Sequence, residues 1–399
     1  MPRFEPFTGL RYDPDAVHLN RVIAPPYDVI TPDERAVLAA RDPANAVRVE
    51  LPEPNPGSAL DRYQTAAKLL DAWQASGVLR TDPVPALYPY RMTPPEGRPT
   101  TGVIGALGPS LDGRAPDIWP HEETLPKARS DRLELLAATR ANLSPIWGLS
   151  LARGLTEALD LAGPPATEAI DDDGVRHELW VLSAPDAVEA VATRVAAAGV
   201  VLADGHHRYE TALTFARQER ERQGPGPGAA DLVMALVVEL AEDQLAVGAI
   251  HRGLAGLPEG FDLPGALGRW FDLVRAGAPS DRVVGALGDA GSLALITSTD
   301  AWLLTPHADA VEAAGSDLDS ALVALALADL PPHEVTFRHS WREAAGAVGR
   351  GRDQAALLLR PVTVAQIAAW AEAGRRMPPK TTYFAPKPRT GMVFRLLGS

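Results

Sequence analysis

The spacing of apolar residues predicts helices and strands that interleave along the whole chain. Between 63 and 73 the apolar residues recur at helical spacing, and Gly77 ends that run. The same spacing predicts helices at 133–137, 209–216 and 367–370. Apolar runs predict strands at 84–91, 101–107, 200–203, 232–238, 245–250, 293–297, 302–305, 357–359 and 392–395. Interleaved elements of this kind are typical of α/β or α+β proteins with mixed sheets, which is the predicted fold class.

Proline and glycine mark the breaks in this pattern. Pro25 and Pro26 remove two backbone donors and restrict the residues before them, so 23–30 is predicted to be extended. The run Gly-Pro-Gly-Pro-Gly at 224–228 is the clearest linker. The chain is therefore predicted to comprise an N-terminal α/β segment at 1–110, a core at 111–223 and a C-terminal α/β domain at 229–399.

Composition and charge narrow the function classes. The 399 residues carry 38 basic and 51 acidic side chains, for a net charge of −13. Because binding to nucleic acid or to an anionic membrane needs clustered positive charge, neither is an expected partner. No apolar run approaches the roughly 18 residues that span a bilayer, and the first residues lack the pattern of a signal peptide, so a cytoplasmic protein is expected. The absence of cysteine excludes disulfides, thiolate metal sites and cysteine nucleophiles.

Lysine is rare in this chain. Only Lys68, Lys127, Lys380 and Lys387 occur among the 38 basic residues, and the last three fall in or beside the motifs described next. A lysine that persists among so many arginines is a candidate for a place that needs a compact ammonium group; with four residues, chance is the alternative.

The strongest chemical signal is the run Asp204-Gly205-His206-His207-Arg208, which joins a predicted strand to a predicted helix. The first N–H groups of a helix attract anions, and a glycine lets a ligand approach the backbone closely. Two histidines and an arginine would add donors suited to polyphosphate. The alternative is a helix capped by Asp204 with solvated histidines. Adjacent histidines share a metal poorly, which favours phosphate over zinc.

Two further motifs carry candidate chemistry. In the first, His121 and Glu122 precede Lys127 and Arg132; a carboxylate beside a histidine can deprotonate a hydroxyl, and a cation can neutralise phosphoryl charge. The alternative there is a capped helix with surface charges. In the second, Lys380, Thr381 and Thr382 follow a Pro-Pro turn and suit phosphate, or form an ordinary surface turn. Weaker signals are Pro25-Pro26-Tyr27-Asp28 and His251-Arg252.

These motifs together resemble known families. The Asp-Gly-His-His-Arg run resembles the signature of the ParB/sulfiredoxin superfamily, whose members hold nucleotide phosphates at such a strand–turn–helix. The order Pro120-His121-Glu122, then 204–208, then Pro379 to Thr382 is similar to that of the archaeal ADP-dependent free serine kinases. Over its whole length the chain resembles a widespread bacterial domain-of-unknown-function family, number ten-fifteen. The resemblance implies a ParB/sulfiredoxin-like nucleotide-binding core with additional α/β domains on both sides.

The resemblance also implies roles for residues. Glu122 would be the catalytic carboxylate that deprotonates a serine hydroxyl, with His121 and Lys127 beside it. Phosphates of ADP or ATP, and any Mg²⁺, would be held by Asp204, Gly205, His206, His207 and Arg208. The transferred phosphoryl group or phosphoserine would be bound by Lys380, Thr381, Thr382 and Arg132. The ligands of a metal are not identified by the sequence.

The predicted function is a nucleotide-dependent phosphotransferase acting on free L-serine or a similar small hydroxyl compound. Such a reaction needs positioning and cationic stabilisation more than covalent chemistry. A phosphoserine phosphatase that uses the same pocket is one alternative. A non-catalytic nucleotide-binding regulator is another, although it would not need the distant Pro-Lys-Thr-Thr motif. The donor nucleotide, the direction of transfer and the oligomeric state are left open.

Overall fold

The computed structural model describes the chain except for residues 55–58, 110–116, 121–128, 160, 225, 227 and 399. Within the described residues the strands are β1 (Arg3–Glu5), β2 (Gly9–Tyr12), β3 (Leu79–Thr81), β4 (Tyr88–Thr93), β5 (Thr100–Gly108), β6 (Ile118–Pro120), β7 (Ala141–Asn142), β8 (Ile146–Ser150), β9 (Thr167–Ile170), β10 (Arg176–Leu179), β11 (Val200–Asp204), β12 (Val233–Glu239), β13 (Ala246–Gly248), β14 (His251–Ala255), β15 (Phe271–Gly277), β16 (Leu293–Ile296), β17 (Ala301–Pro306), β18 (Glu334–Arg338), β19 (Ala355–Leu358), β20 (Tyr383–Ala385) and β21 (Phe394–Leu396).

The helices between these strands are mostly short. They are α1 (Leu19–Val22), α2 (Pro32–Arg41), α3 (Val47–Glu50), α4 (Arg62–Ala75), α5 (Arg129–Thr139), α6 (Pro185–Ala196), α7 (His206–Gln223), α8 (Leu263–Leu267), α9 (Asp281–Ala290), α10 (Ala308–Ala314), α11 (Asp319–Ala328), α12 (Trp341–Gly349) and α13 (Val364–Glu372). Helices and strands alternate, and the largest sheet combines parallel and antiparallel pairs, so the predicted mixed α/β class is confirmed.

The chain divides into two compact units. The first comprises Met1–Ala246 together with Pro386–Ser399, and the second comprises Val247–Ala385. The predicted segments 1–110, 111–223 and 229–399 are continuous stretches of sequence, whereas the two units are defined by which residues contact one another. The division into three segments therefore stays a prediction.

A nine-stranded sheet forms the centre of the first unit. Its order is β6-β11-β8-β12-β5-β4-β10-β9, with β1 paired to β5 outside this path. Strand β11 runs parallel to β6 and antiparallel to β8, and β12 runs parallel to β8. Every residue of β5 and β12 is buried, which explains why both read as continuous apolar runs rather than alternating ones.

A four-stranded sheet, β3-β2-β21-β7, completes the first unit. The strand predicted at 392–395 is β21, and Phe394 within it is fully buried in the hydrophobic core of this sheet. The helix predicted at 63–73 is α4, which packs Leu70 and Trp73 into the same core.

The second unit is built on a six-stranded sheet, β15-β17-β16-β19-β14-β18, beside the two-stranded pair β13-β20. The predicted hairpin is formed by β16 and β17, which pair in antiparallel register. Leu357 on β19 and Leu295 on β16 are neighbours across the ladder and are both buried.

One predicted segment was wrong in part. Residues 23–30 were expected to be extended throughout, but Tyr27–Val29 form a turn of 3₁₀ helix. Pro26 precedes that turn in an extended conformation, where its missing N–H costs nothing. The strand predicted at 84–91 begins later, at Tyr88.

Candidate anion-binding site

The site is built at the point where β11 passes directly into α7. The pairing of β11 with β8 shifts register between Leu202 and Asp204, which ends the strand in an irregularity. Gly205 follows with a φ of 82°, in the left-handed region that glycine adopts without strain. His206 is then the first residue of α7. The strand–turn–helix predicted from the sequence is therefore present.

The start of α7 is not capped by a side chain from the described part of the chain. The first four N–H groups of a helix have no partner within the helix, and their dipoles add to a partial positive charge. Asp204 was the alternative candidate for the cap, and it does not fill that position. An uncapped helix start is a place where an anion can bind.

Asp204 is instead held by two cations. Its carboxylate lies 3.0 Å from Lys387 Nζ and 3.5 Å from Arg208 Nη2. Burial alone would raise the pKa of Asp204, but Lys387 and Arg208 outweigh it and hold the pKa below its usual value. The carboxylate is therefore charged at neutral pH, and it keeps an ammonium group at the turn.

Lys387 is the residue of this site that the sequence analysis did not include among the ligands. Its side chain is 15 % exposed, and it enters the first unit on the returning segment Pro386–Ser399. The scarcity of lysine was a signal for it, because an ammonium beside Asp204 is a compact point charge that arginine does not reproduce.

His206 and His207 occupy the first turn of α7 and are half-buried. His206 lies close enough to Asp204 to lower the pKa of that carboxyl. The Nε2 atom of His207 is buried and has no hydrogen-bond partner among the described residues. A buried polar atom left in this state favours a bound ligand or water at the turn.

Arg208 turns inward from the same helix start. Its Nη1 donates to Ser144 Oγ at 3.0 Å and to the carbonyl of Pro145 at 2.6 Å, just before β8 begins. A Cβ on Gly205 would lie 3.1 Å from both Nε and Nη2 of Arg208. Glycine is thus favoured at 205 by its backbone conformation, and a Cβ there would in addition displace Arg208 by a few tenths of an ångström.

A buried polar network continues from Arg208 to Arg132. Ser144 Oγ donates to Glu50 Oε1 at 2.9 Å, and Arg132 Nη1 donates to the carbonyl of Glu50 at 2.7 Å. Arg132 is also paired with its neighbour Asp131. Arg132, Arg208, Glu50 and Ser144 line a cavity of about 50 Å³ whose other walls include leucines of α5. Arg132, predicted to bind phosphate, is thereby linked to the Gly205 turn through Glu50 and Ser144.

The second predicted ligand group lies in the second unit. Lys380 has a φ of 58°, which is unusual for a residue other than glycine, and its carbonyl accepts a hydrogen bond from Arg252 Nη2 at 2.8 Å. Thr381 is buried, and its hydroxyl donates to the carbonyl of Pro378 and contacts Ser320 Oγ at 2.7 Å. Thr382 is buried as well. Backbone strain of this kind is commonly found at functional sites.

The predicted catalytic residues His121, Glu122 and Lys127 lie outside the described residues. Within the described ranges no group of three or more His, Asp or Glu side chains could hold a metal ion. No helix in that part of the chain is long and apolar enough to cross a membrane.

The geometry defines a mixed α/β protein with an uncapped, cation-flanked helix start at the end of a buried strand. The sequence pattern of the family described as "Protein of unknown function (DUF1015)" matches residues 4–321, and the chain belongs to that family. No match was found among the curated proteins.

Three kinds of solved structure are similar to the chain. A variant free serine kinase in complex with ADP is 13 % identical, with 76 % of this chain and 97 % of that one covered and a TM-score of 0.41. A conserved hypothetical protein from Pyrococcus furiosus is 13 % identical, with coverages of 75 % and 96 % and a TM-score of 0.36. SbnI from Staphylococcus aureus with a C-terminal truncation is 12 % identical, with coverages of 72 % and 85 % and a TM-score of 0.38.

Proposed function

We propose that this protein is a nucleotide-dependent phosphotransferase that transfers a phosphoryl group to free L-serine or a similar small hydroxyl compound. The observation that carries the proposal is the start of α7. It has no side-chain cap from the described residues, it follows a left-handed glycine, and it has His206, His207 and Lys387 beside it.

This arrangement suits the phosphates of ADP or ATP better than other small ligands. Phosphate oxygens accept hydrogen bonds from the first N–H groups of the helix, and the helix dipole favours their negative charge. The buried Nε2 of His207 would then acquire the acceptor that the described residues do not provide. Mg²⁺ would be held mainly by the phosphates and by Asp204, since Mg²⁺ commonly takes one or two carboxylates.

The remaining roles rest on the order of the motifs. Glu122 would remove the proton from the acceptor hydroxyl, which is a weak nucleophile without a base, and His121 and Lys127 would assist it. Lys380, Thr381 and Thr382 would bind the transferred phosphoryl group or the phosphorylated product. Arg132 would stabilise the charge of the site through its link to Arg208.

A phosphorus NMR time course tests the proposal. Purified protein with Mg²⁺ is given L-serine and either ADP or ATP, and O-phosphoserine alone is given in a parallel tube. We expect phosphoserine to form with one of the two nucleotides, and not with Glu122→Ala. Inorganic phosphate released from phosphoserine alone would instead identify a phosphatase. No change in any tube would reject serine as the acceptor.

A binding experiment separates a nucleotide regulator from a protein without a nucleotide site. Calorimetric titration with ADP and ATP compares the wild type, His207→Ala and the control Arg217→Ala. Arg217 lies on the same helix and is exposed. Loss of binding only in His207→Ala supports the site. Binding without transfer would identify a regulator, and the absence of binding in the wild type would refute both.

A further inference from the structure

The Pro25-Pro26-Tyr27-Asp28 motif lies against the arginines of the candidate site. The guanidinium carbon of Arg132 is 4.3 Å from the centre of the Tyr27 ring, and that of Arg208 is 5.9 Å from it. Both distances are within the roughly 6 Å at which a cation is attracted by an aromatic ring. Tyr27 therefore contacts the two cations that line the cavity beside the Gly205 turn.

These contacts link five side chains into a closed cycle. The cycle runs from Tyr27 to Arg208, then through Ser144 to Glu50, and from Glu50 to Arg132, which contacts Tyr27 again. The five residues come from five separate stretches of the chain, so residues that are adjacent in the cycle are distant in the sequence. Four of the five residues, all except Tyr27, line the cavity of about 50 Å³.

Nearby carboxylates keep Arg208 charged. Burial alone would lower the pKa of the Arg208 guanidinium, but Asp28 and Asp204 outweigh it and raise the pKa. Burial also raises the pKa of the Tyr27 phenol, to about 12, in spite of the two arginines. Tyr27 is therefore neutral at physiological pH, and its interaction with the guanidinium groups is that of a neutral ring with cations.

We propose that Tyr27 is a positioning residue of the anion site, whose ring holds Arg208 and Arg132 together and thereby fixes the turn at Gly205 on which a nucleotide's phosphates bind. The inference rests on the proposed function, since it concerns the same site. Tyr27 acts through Arg208 because Arg208 lies directly against Gly205, 3.1 Å from the position of a Cβ there. An unrestrained arginine side chain has many rotamers, and an aromatic ring packed against its guanidinium group reduces their number.

The attraction depends on the aromatic ring and not on the hydroxyl, which gives a sharp set of variants. Tyr27→Phe keeps the ring, and Tyr27→Leu removes it while keeping an apolar side chain. The matched control is Trp370→Leu in the second unit, where Arg375 lies 4.2 Å from the ring of Trp370 in the same type of contact.

Two measurements are made on the full-length protein. Calorimetry gives the dissociation constant for ADP with Mg²⁺, and NMR records the Nε–H signals of the arginines, with that of Arg208 assigned from Arg208→Lys. We expect Tyr27→Leu to weaken ADP binding about tenfold, the effect of one cation–aromatic contact of average strength. Tyr27→Phe and Trp370→Leu should bind ADP as the wild type does. The Arg208 signal should shift in Tyr27→Leu and stay in place in Trp370→Leu.

The outcomes separate this inference from the proposed function. If the wild type binds ADP and Tyr27→Leu binds it equally well, the inference is wrong and the nucleotide site of the proposed function is unaffected. If the wild type binds neither ADP nor ATP, both are wrong. If Tyr27→Leu lowers the melting temperature but leaves both the Arg208 signal and the affinity unchanged, Tyr27 has only a packing role, and the inference is wrong. Equal loss of affinity in Tyr27→Phe would likewise refute a role for the ring.

Discussion

Gly205 shows at the level of one residue why a glycine stands at the centre of the candidate site. Its φ of 82° is strained for any other residue, and a Cβ would press on Arg208 and Ile146. Gly224, at the other end of α7, has a φ of 91°, but nothing lies within 4 Å of its Cβ position. Both glycines thus have a positive φ, although with different ψ angles of 29° and 172°, and only Gly205 also has the contact.

This difference predicts the effects of two substitutions. Gly224→Ala should destabilise the protein by about 2 kcal/mol, because a φ of 91° with a ψ of 172° is adopted almost only by glycine, and it should leave ADP binding unchanged. Gly205→Ala should cost about 2 kcal/mol and also weaken ADP binding, because Arg208 must move. Chemical denaturation and calorimetry check the pair. Equal effects of both substitutions on binding would show that the contact with Arg208 is unimportant.

His251 is a buried histidine of the second unit. Its Nδ1 accepts a hydrogen bond from the backbone N–H of Leu359 at 3.2 Å. Burial first, and then the positive charge of Arg252 and the nearby His339, lower the pKa of His251 to about 4. The folded protein therefore keeps this ring neutral at pH values where the unfolded chain protonates it.

The lowered pKa predicts how stability depends on pH. Between pH 6.5 and 4 the unfolded state binds more protons at His251 than the folded state, so the free energy of unfolding falls as the pH is lowered through this window. The total loss should be about 3 kcal/mol. Above pH 6.5 His251 does not contribute to the pH dependence of the free energy of unfolding.

The measurement is urea denaturation at several pH values, with His251→Gln and His307→Gln compared to the wild type. His307 lies in the same unit with its side chain 30 % exposed. We expect only His251→Gln to flatten the pH dependence between 4 and 6.5. An unchanged slope in that variant would contradict a neutral buried His251.

At the level of elements, α4 and α7 begin in opposite ways. The carboxylate of Asp61 caps α4 by accepting from the N–H groups of Tyr63 and Gln64, both at 2.8 Å. Helix α7 begins at Gly205 without such a cap from the described residues. Helices α6, α9, α10 and α11 also begin without a side-chain cap from that part of the chain, so the missing cap does not by itself distinguish α7. What distinguishes α7 is the left-handed Gly205 before it, together with the cation Lys387 beside its start.

Strand β21 depends on a buried arginine. Arg395 Nη1 donates to Asn142 Oδ1 and to the carbonyl of Leu232, and Nη2 donates to the carbonyl of Ala229. Burial lowers the pKa of its guanidinium to about 10, so it is still charged at neutral pH. These bonds join β21 to β7 and to the chain just before β12.

We expect that replacing Arg395 greatly lowers the stability of the protein. Arg395→Leu would remove three hydrogen bonds donated by a charged group, at a cost of about 3 kcal/mol. Arg217→Leu, at an exposed position of α7, should change stability by less than about 0.5 kcal/mol. Denaturant midpoints measure both. A small effect of Arg395→Leu would mean that water replaces the guanidinium at these acceptors.

At the level of the whole molecule, the chain returns to its first unit after forming the second. The segment Pro386–Ser399 supplies β21, the buried Phe394 and the Lys387 that pairs with Asp204. It also supplies Arg389, whose Nε donates to Asp171 Oδ2 at 2.6 Å. The first unit is therefore incomplete without residues that follow the second one in the sequence.

Ending the chain after Ala385 should thus affect the first unit selectively. In hydrogen exchange, β2 and β7, the partners of β21, should lose protection because their ladder and core contacts are removed. Strands β16 and β19 pair with each other in the second unit and should keep their protection. Equal loss in both units would show that they do not fold as separate cooperative parts.

The sequence by itself determined those features of the protein that depend only on residues close together along the chain. The helical spacing in α4 and the apolar runs in β5, β11 and β12 predicted the correct type for these elements. Gly205 predicted the turn between β11 and α7, since backbone conformation there is a local property. The mixed α/β class followed from the same patterns. Two predicted segments departed from this local logic: the 3₁₀ turn after Pro26 and the strand predicted at 84–91, which begins at Tyr88.

Only the tertiary structure decided which distant residues meet. No local pattern shows that Lys387 reaches Asp204, that Tyr27 contacts both Arg132 and Arg208, or that Arg208 points inward to Ser144. Such pairs form because long-range packing brings separate elements together, and side-chain charge then selects among the contacts that packing allows. The sequence located the candidate site along the chain, and the tertiary structure determined which cations and which aromatic ring lie beside it.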